Sequence, residues 1–178
     1  MAVPRWRSRL LQDGSQRPVF SWLRETASLT ARCQAGCRTF RIRLLGQGLA
    51  RPLVDEGGLE QPGRLAAVRE VTLECDGVPV IFAHTVLPAT PRGRLSRWFG
   101  RLGTRSLGSL LFTYPGFSRG PIECLRLDRR HPLFQRAVAA AGLGPEVRQL
   151  WARRSRHRLG RQTVLVTEVF LPAITRLG

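Results

Sequence analysis

Hydrophobic and polar residues alternate most clearly between Leu65 and Pro88, where the chain reads LAAVREVTLECDGVPVIFAHTVLP. Two runs rich in β-branched residues flank Asp76-Gly77, a dipeptide that accepts the positive φ angles of a two-residue turn. The segment is therefore predicted to form a β-hairpin. Alternate side chains of a strand lie on one face, so the face of Arg69 is otherwise apolar. It carries Val71, Leu73 and Cys75, whereas Glu70, Thr72 and Glu74 take the other face.

The end of the chain repeats this pattern with the opposite charge. The segment from Thr163 to Pro172 reads TVLVTEVFLP, an apolar run of strand length in which Glu168 lies in register with Val164, Val166 and Phe170. Burying a charged group is costly unless an opposite charge meets it. Arg69 and Glu168 therefore either form a buried salt bridge or each bind one end of a small anionic ligand. Spacing alone leaves both interpretations open.

The remaining segments of the first half alternate between helical and extended patterns. Residues 18–36 are predicted to be helical with a break near Ala27-Ser28, where Ser28 is a suitable N-cap for a second short helix. The run from Thr39 to Leu45 predicts a first strand, with Phe40, Ile42 and Leu44 inward and Arg41 and Arg43 outward. Gly46 to Gly63 is rich in Gly, Pro and acidic residues, which predicts a surface loop.

The second half contains three predicted helices and three further strands. Pro91 to Gly103 has apolar residues at helical spacing, and its aromatic residues belong to the core or to a lid over a pocket. Thr104 to Gly108 predicts a turn that opens a short helix through Phe112, whose first N–H groups can hold a carboxylate. The other predicted elements are a strand from Pro121 to Asp128, a helix from His131-Pro132 to about Gly142, and a hairpin of Arg148–Leu159 and Arg161–Leu171 around Gly160.

These elements predict one α+β domain, a single antiparallel β-sheet of about six strands flanked by helices. We place this domain at residues 18–178, after a basic N-terminal tail at residues 1–17. No segment is apolar for long enough to span a bilayer, and the N-terminus lacks the apolar region of a secretory signal. The four cysteines form no disulfide framework, so a reducing cytoplasm is expected.

Net charge adds a competing interpretation. The chain has 178 residues and a formal charge of +17, which is typical of nucleic-acid binders. All 29 basic residues are Arg, and Lys and Asn are both absent, as a GC-rich genome would produce. The arginines are scattered except for a run at Arg153, Arg154, Arg156 and Arg158. We therefore expect small anions rather than nucleic acid as the main partner, and a basic surface suited to peripheral contact with a membrane.

The same composition limits the chemistry. Without lysine no Schiff base can form, either with a carbonyl substrate or with pyridoxal phosphate. With 3 His and no CxxC pair, a metal site is not expected. Any lyase chemistry would therefore proceed without a lysine Schiff base.

Five segments in a fixed order resemble chorismate pyruvate-lyase, the bacterial chorismate lyase family. They are SWLRETASLT, VREVTLECDGVPVIFAHTVLP, SLGSLLF, WARRSRHRL and VLVTEVFLP, between Pro18 and Pro172. The resemblance implies an antiparallel sheet flanked by helices, an internal ligand cavity and no cofactor. It also implies that a monomeric enzyme converts chorismate to 4-hydroxybenzoate and pyruvate, the first committed step of ubiquinone synthesis.

Carried over by position, the resemblance implies four site residues. The ligand-binding arginine falls on Arg69 and the glutamate on Glu168. Contacts that involve main chain fall on Leu107 of SLG, where Ser106 replaces a proline, and on Leu29 of SLT, where the comparison has methionine. The segment from His131 to Gln149 is longer than in that comparison.

The chemistry implied is an elimination. Arg69 would pair with the ring carboxylate, and a protonated Glu168 at the C4 oxygen end would help protonate the departing enolpyruvyl group. Because the product keeps the carboxylate and the oxygen, slow release and product inhibition are expected, with the Leu95–Leu102 helix or residues 28–36 opening as a lid. The alternative is a non-catalytic effector domain of the same fold. Regulators of that kind add a DNA-binding winged helix, for which 178 residues leave no room.

Overall fold

The computed structural model of the protein describes residues 5–8, 17–56, 64–88 and 94–177. Seven antiparallel strands form one sheet in the order β1-β2-β3-β7-β6-β4, with β5 also paired to β6. The strands are β1 (Phe40–Ala50), β2 (Ala66–Cys75), β3 (Val78–Pro88), β4 (Phe117–Arg119), β5 (Glu123–Asp128), β6 (Gln149–Leu159) and β7 (Gln162–Phe170). This confirms the predicted α+β class and the single antiparallel sheet.

The helices within these ranges are short. They are α1 (Arg17–Leu23), α2 (Leu29–Ala35), α3 (Arg94–Arg101), α4 (Leu107–Thr113) and α5 (Pro132–Ala141), with 3-10 turns at Val54–Glu56 and Pro172–Arg176. In the part of the chain that the structure describes, none of them is long and apolar enough to cross a membrane.

The turn and cap predictions are confirmed where their residues are described. Asp76 and Gly77 have φ angles of 50° and 81° and close the β2–β3 hairpin. Ser28 caps α2 by accepting a hydrogen bond from the Ala31 amide at 3.3 Å. His131 caps α5 from its ring, and Gly142 ends that helix with a φ of 60°.

The first strand is longer than its composition indicates. Gly46 to Ala50 continue β1 instead of beginning a loop, so the loop prediction is wrong there; residues 57–63 lie outside the described part of the chain. Backbone pairing with β2 holds this extension, as in the pair Gln47↔Arg69. Leu44, which was predicted to point inward, is 38% exposed on this edge strand, and a register shift follows it before Gly46.

Two further features were not expected. The short strand β4 pairs with the end of β6, which raises the strand number from six to seven. From the predicted tail, Arg7 forms an isolated β-bridge with Cys124, and the Trp6 indole donates to Asp55 at 2.8 Å. The domain boundary at residue 17 itself stays a prediction.

The helices lie on both faces of the sheet. We call the face that carries Arg69 the front face; α1 to α4 pack there, in two apolar clusters built on opposite halves of the sheet. The opposite face, the back face, is covered by α5, which buries Leu133, Phe134 and Ala137 against Phe82 and Val169. The two front clusters leave a band of polar side chains between them.

Candidate active site

The polar band on the front face follows from strand register. One row across the sheet runs Arg69, Thr85, Val166, Ser155, and the next row runs Val71, Ala83, Glu168, Arg153. Directly paired residues of antiparallel strands point to the same face. Arg69 and Glu168 therefore share the front face, two strands and one row apart. From standard strand spacings their Cα atoms are about 12 Å apart.

Arg69 is bound by main chain. Its side chain is 2% exposed, and Nη2 donates to the carbonyl oxygens of Gly103 at 2.8 Å and Arg105 at 3.0 Å. Burial lowers the pKa of Arg69 to about 10, so the guanidinium stays charged at neutral pH. Its buried Nε has no hydrogen-bond partner among the described residues. Arg69 is therefore an oriented cation with a donor still to be satisfied.

Glu168 pairs with a different arginine. Arg153 Nε lies 2.7 Å from Glu168 Oε2, and the Arg153 side chain is almost completely buried. Arg153 Nη1 also donates to the carbonyl oxygens of Trp22 and Glu25, where α1 ends. Among the described residues no ion pair joins Arg69 to Glu168, so the salt-bridge interpretation of these two charges is wrong.

The two main-chain positions lie in the helical layer above the sheet. Leu29 and Leu107 are buried first residues of α2 and α4. Thr30 Oγ1 and Ser106 Oγ are 2.8 Å apart, which joins the start of α2 to the start of α4. The carbonyl groups that bind Arg69 belong to the loop just before α4. The structure thus brings Arg69, Leu29 and Leu107 to one side of the sheet, with Glu168 on the same face.

Sequence reasoning missed three more polar residues beside Glu168. Arg119 Nε donates to Ser155 Oγ at 3.1 Å, and Ser155 Oγ lies 3.1 Å from His157 Nε2. Burial and the nearby charges of Arg119 and Arg153 lower the pKa of His157 to about 4. The signal was present in the sequence, because alternation along a strand places Arg153, Ser155 and His157 on one face.

Two cavities open beside these residues. One of about 510 Å³ is lined partly by Leu23, Thr26 and Cys124, and one of about 380 Å³ by Leu111, Tyr114 and His157. Arg119 lines both, whereas neither is lined by Arg69 or Glu168. Arg119 therefore stands between the two openings on the β6 side of the polar band.

A separate buried charge cluster lies on the back face. His84 Nδ1 is 2.8 Å from Glu70 Oε1, and His84 Nε2 is 3.0 Å from Glu56 Oε1. Arg136 of α5 pairs with the same Glu70 oxygen at 2.7 Å. No group of three or more His, Cys, Asp or Glu side chains in the described ranges is placed to hold a metal ion.

Comparison with known proteins adds the family. A sequence model described as chorismate lyase matches residues 7–177. The chain belongs to the chorismate lyase family. It is 60% identical to a protein of Dechloromonas aromatica named "Probable chorismate pyruvate-lyase", over 99% of both chains. It is 45% identical to a protein of the same name from Aromatoleum aromaticum, over 88% of this chain and 85% of the relative.

Solved structures share the fold at low sequence identity. The effector domain of PhnF from Mycobacterium smegmatis has a TM-score of 0.55 and 18% identity, covering 83% of this chain and 90% of that domain. The C-terminal domain of a histidine utilization repressor from Pseudomonas syringae has the same TM-score of 0.55 with 8% identity, covering 76% and 93%. These similarities show the chorismate lyase-like fold and nothing about ligand or activity.

Proposed function

We propose that this chain is a chorismate lyase, which converts chorismate to 4-hydroxybenzoate and pyruvate without a cofactor, for ubiquinone synthesis. The observation that carries the proposal is the state of Arg69, a buried cation on the face that also carries Glu168. Within the described ranges it is bound by neutral carbonyls, and its Nε has no acceptor. Membership in the family along nearly the whole chain supports the same activity.

Arg69 binds the ring carboxylate in this proposal. An unsatisfied buried N–H is costly, and a carboxylate oxygen is the acceptor that a guanidinium binds most strongly. The carbonyl groups of Gly103 and Arg105 fix the side chain before the ligand arrives. Main-chain N–H groups near Leu29 and Leu107 complete the carboxylate contacts. The ring then extends from β2 toward Glu168 on β7.

Glu168 moves the proton in the elimination. The C3–O ether bond breaks, the hydrogen on C4 leaves as a proton, and the ring becomes aromatic. An ion-paired carboxylate beside Arg153 can accept that proton and pass it to the methylene carbon of the departing enolpyruvate, which gives pyruvate. The protonated Glu168 of the sequence hypothesis thus becomes an intermediate state. No electrons are transferred to or from an external group.

Product release follows from the same contacts. The product retains the carboxylate for Arg69 and the oxygen for Glu168, so slow release and product inhibition are part of the proposal. The Thr30–Ser106 contact and the Arg69 bonds to the Gly103–Arg105 loop join the elements that would open as a lid, α3 with its loop or residues 28–36. We further propose a cytoplasmic monomer that contacts membranes at most peripherally and does not bind nucleic acid.

Release of both products tests the function directly. Purified protein is mixed with chorismate and EDTA, and pyruvate and 4-hydroxybenzoate are followed together. Equimolar release that slows as 4-hydroxybenzoate accumulates is the expected result. Saturable binding of 4-hydroxybenzoate without turnover would instead support an effector domain of this fold. If the protein neither turns over chorismate nor binds 4-hydroxybenzoate, both the lyase and the effector-domain interpretation are contradicted.

A further inference from the structure

The front face carries a third arginine, Arg119, in addition to Arg69 and Arg153, and the proposed reaction gives it no role. It lies on β4 opposite His157 of β6, at the far side of Glu168 from Arg69. The sheet therefore carries Arg69, Glu168 and Arg119 in that spatial order, on β2, β7 and β4. A ligand that spans from Arg69 past Glu168 would reach Arg119 next.

Two hydrogen bonds that orient the side chain of Arg119 go to neutral groups. Its Nε donates to Ser155 Oγ at 3.1 Å, and its Nη1 donates to the carbonyl oxygen of Thr26 at 2.9 Å. Both acceptors are uncharged, so these bonds orient the guanidinium without cancelling its charge. Since Arg119 Nε can only donate, the Ser155 hydroxyl is available to donate to His157 Nε2. This order of donors suits the neutral imidazole that its lowered pKa implies.

The surroundings of Arg119 favour an anion. Arg153 lies close enough to lower the pKa of Arg119 further, in addition to the effect of burial, and only partly offsetting contributions come from Glu168 and Glu25. Arg119 also lines both cavities, of about 510 and 380 Å³. The site thus offers both space and positive charge beyond the ether end of the ring.

Chorismate has a second carboxylate at that end. It is carried by the enolpyruvyl group, on the side of the ring away from the carboxylate that Arg69 binds. We propose that Arg119, positioned by Ser155, binds the enolpyruvyl carboxylate of chorismate. This inference rests on the proposed function and extends it: 4-hydroxybenzoate lacks the second carboxylate, so Arg119 distinguishes substrate from product.

This assignment predicts that a substitution of Arg119 changes the KM for chorismate but not the Kd of 4-hydroxybenzoate. A charged hydrogen-bonded pair of this kind contributes enough to change affinity by about 10- to 100-fold. Arg119→Gln should therefore raise KM for chorismate by about that factor and leave the Kd of 4-hydroxybenzoate within about twofold of the wild type. Arg119→Lys keeps the charge and should recover part of the loss. Arg158→Gln, an exposed arginine on the same strand β6 that pairs with β4, is the control.

The experiment measures chorismate kinetics and 4-hydroxybenzoate titration on the full chain for each variant. Equal weakening of both ligands by Arg119→Gln, or no change in either, would overturn the role of Arg119. If that variant does not fold, Ser155→Ala replaces it. It should raise the KM for chorismate by a smaller factor and leave the Kd of 4-hydroxybenzoate unchanged. The proposed function itself is overturned if the wild-type chain neither turns over chorismate nor binds 4-hydroxybenzoate. If the wild type turns over normally and Arg119→Gln is unaffected, this inference alone is overturned.

Discussion

Arg153 on β6 and Glu168 on β7 are directly paired residues whose side chains form a partly buried ion pair with an N–O distance of 2.7 Å. Because Arg153 serves Glu168, Arg69 is left to the carbonyl groups of Gly103 and Arg105. Glu168 thus has Arg153 as its counter-charge, and Arg69 is not used in a salt bridge with Glu168. Arg153 neutralises the carboxylate that is proposed to move the proton, and Arg69 keeps an N–H group that no described residue satisfies.

The first prediction concerns this ion pair. Glu168→Gln leaves Arg153 buried without a counter-charge, so it should lower the free energy of unfolding by about 3 kcal/mol. It should also lower kcat at least 100-fold, because the amide cannot accept the C4 proton. The double variant Arg153→Met with Glu168→Gln removes the stranded charge, so it should recover much of the stability and none of the turnover. Urea unfolding and initial rates measure the two effects.

A second ion pair provides the control for that experiment. Glu123 pairs with Arg154 at 2.8 Å at a more exposed position, with 32% of the Glu123 side chain accessible. Surface pairs contribute little, so Glu123→Gln should change stability by less than about 1 kcal/mol and leave turnover unchanged. Full activity in Glu168→Gln would contradict the proton role, whatever its stability.

The second prediction concerns the geometry of Arg69. Lysine keeps the charge of Arg69 but carries all of its N–H groups on one nitrogen, so it cannot hold the loop carbonyls with one nitrogen and bind a carboxylate with another. Arg69→Lys should therefore weaken 4-hydroxybenzoate binding at least 10-fold, measured by titration of intrinsic fluorescence. Arg97→Lys, at an exposed position on α3, is the matched control and should bind normally. Wild-type affinity in Arg69→Lys would contradict the proposed contact of Arg69 with the ring carboxylate.

Local patterns in the sequence were sufficient for some elements and not for others. The hairpin turn at Asp76-Gly77 and the N-cap at Ser28 were predictable because both depend on neighbouring residues. The partner of Glu168 was not, because it depends on β6 lying beside β7 and on the register between them. Strand β4 has only three residues, too few to show a period of two. Gly46 stays in a strand because pairing with β2 outweighs its own preference.

The third prediction concerns acid sensitivity from His157. Its pKa is lowered from 6.5 to about 4 by burial and then by Arg119 and Arg153. As the pH falls, the imidazole of the unfolded chain therefore takes up a proton before the imidazole of the folded chain does. Stability that depends on neutral His157 is present above pH 6.5 and is lost as the pH falls toward 4, by up to about 3 kcal/mol. His157→Leu should lack this part of the loss. Carboxylates titrate in both proteins, so the stability difference between the wild type and His157→Leu, measured by urea unfolding at pH 7 and pH 4.5, isolates the contribution of the imidazole. A stability difference that does not change with pH would contradict the prediction.

The fourth prediction concerns the back-face cluster around His84. Burial opposes the charged ring, but the carboxylates of Glu56 and Glu70 outweigh it and raise the pKa of His84 above 6.5. Among the described residues, Arg136 of α5 pairs with Glu70, and Arg154 lies in the same cross-strand row as His84 and donates to the carbonyl oxygen of Asp55.

A raised folded-state pKa means that the stabilisation by His84 is fully present below pH 6.5 and is lost as the pH rises through the folded-state value. His84→Gln should therefore be less stable than the wild type at pH 6, and the difference should shrink by pH 9. His157→Leu is the control, since it should keep the wild-type loss at alkaline pH while losing the acid component. Urea midpoints at pH 6, 7.5 and 9 measure this. A stability difference that stays constant or grows as the pH rises would contradict a raised pKa of His84.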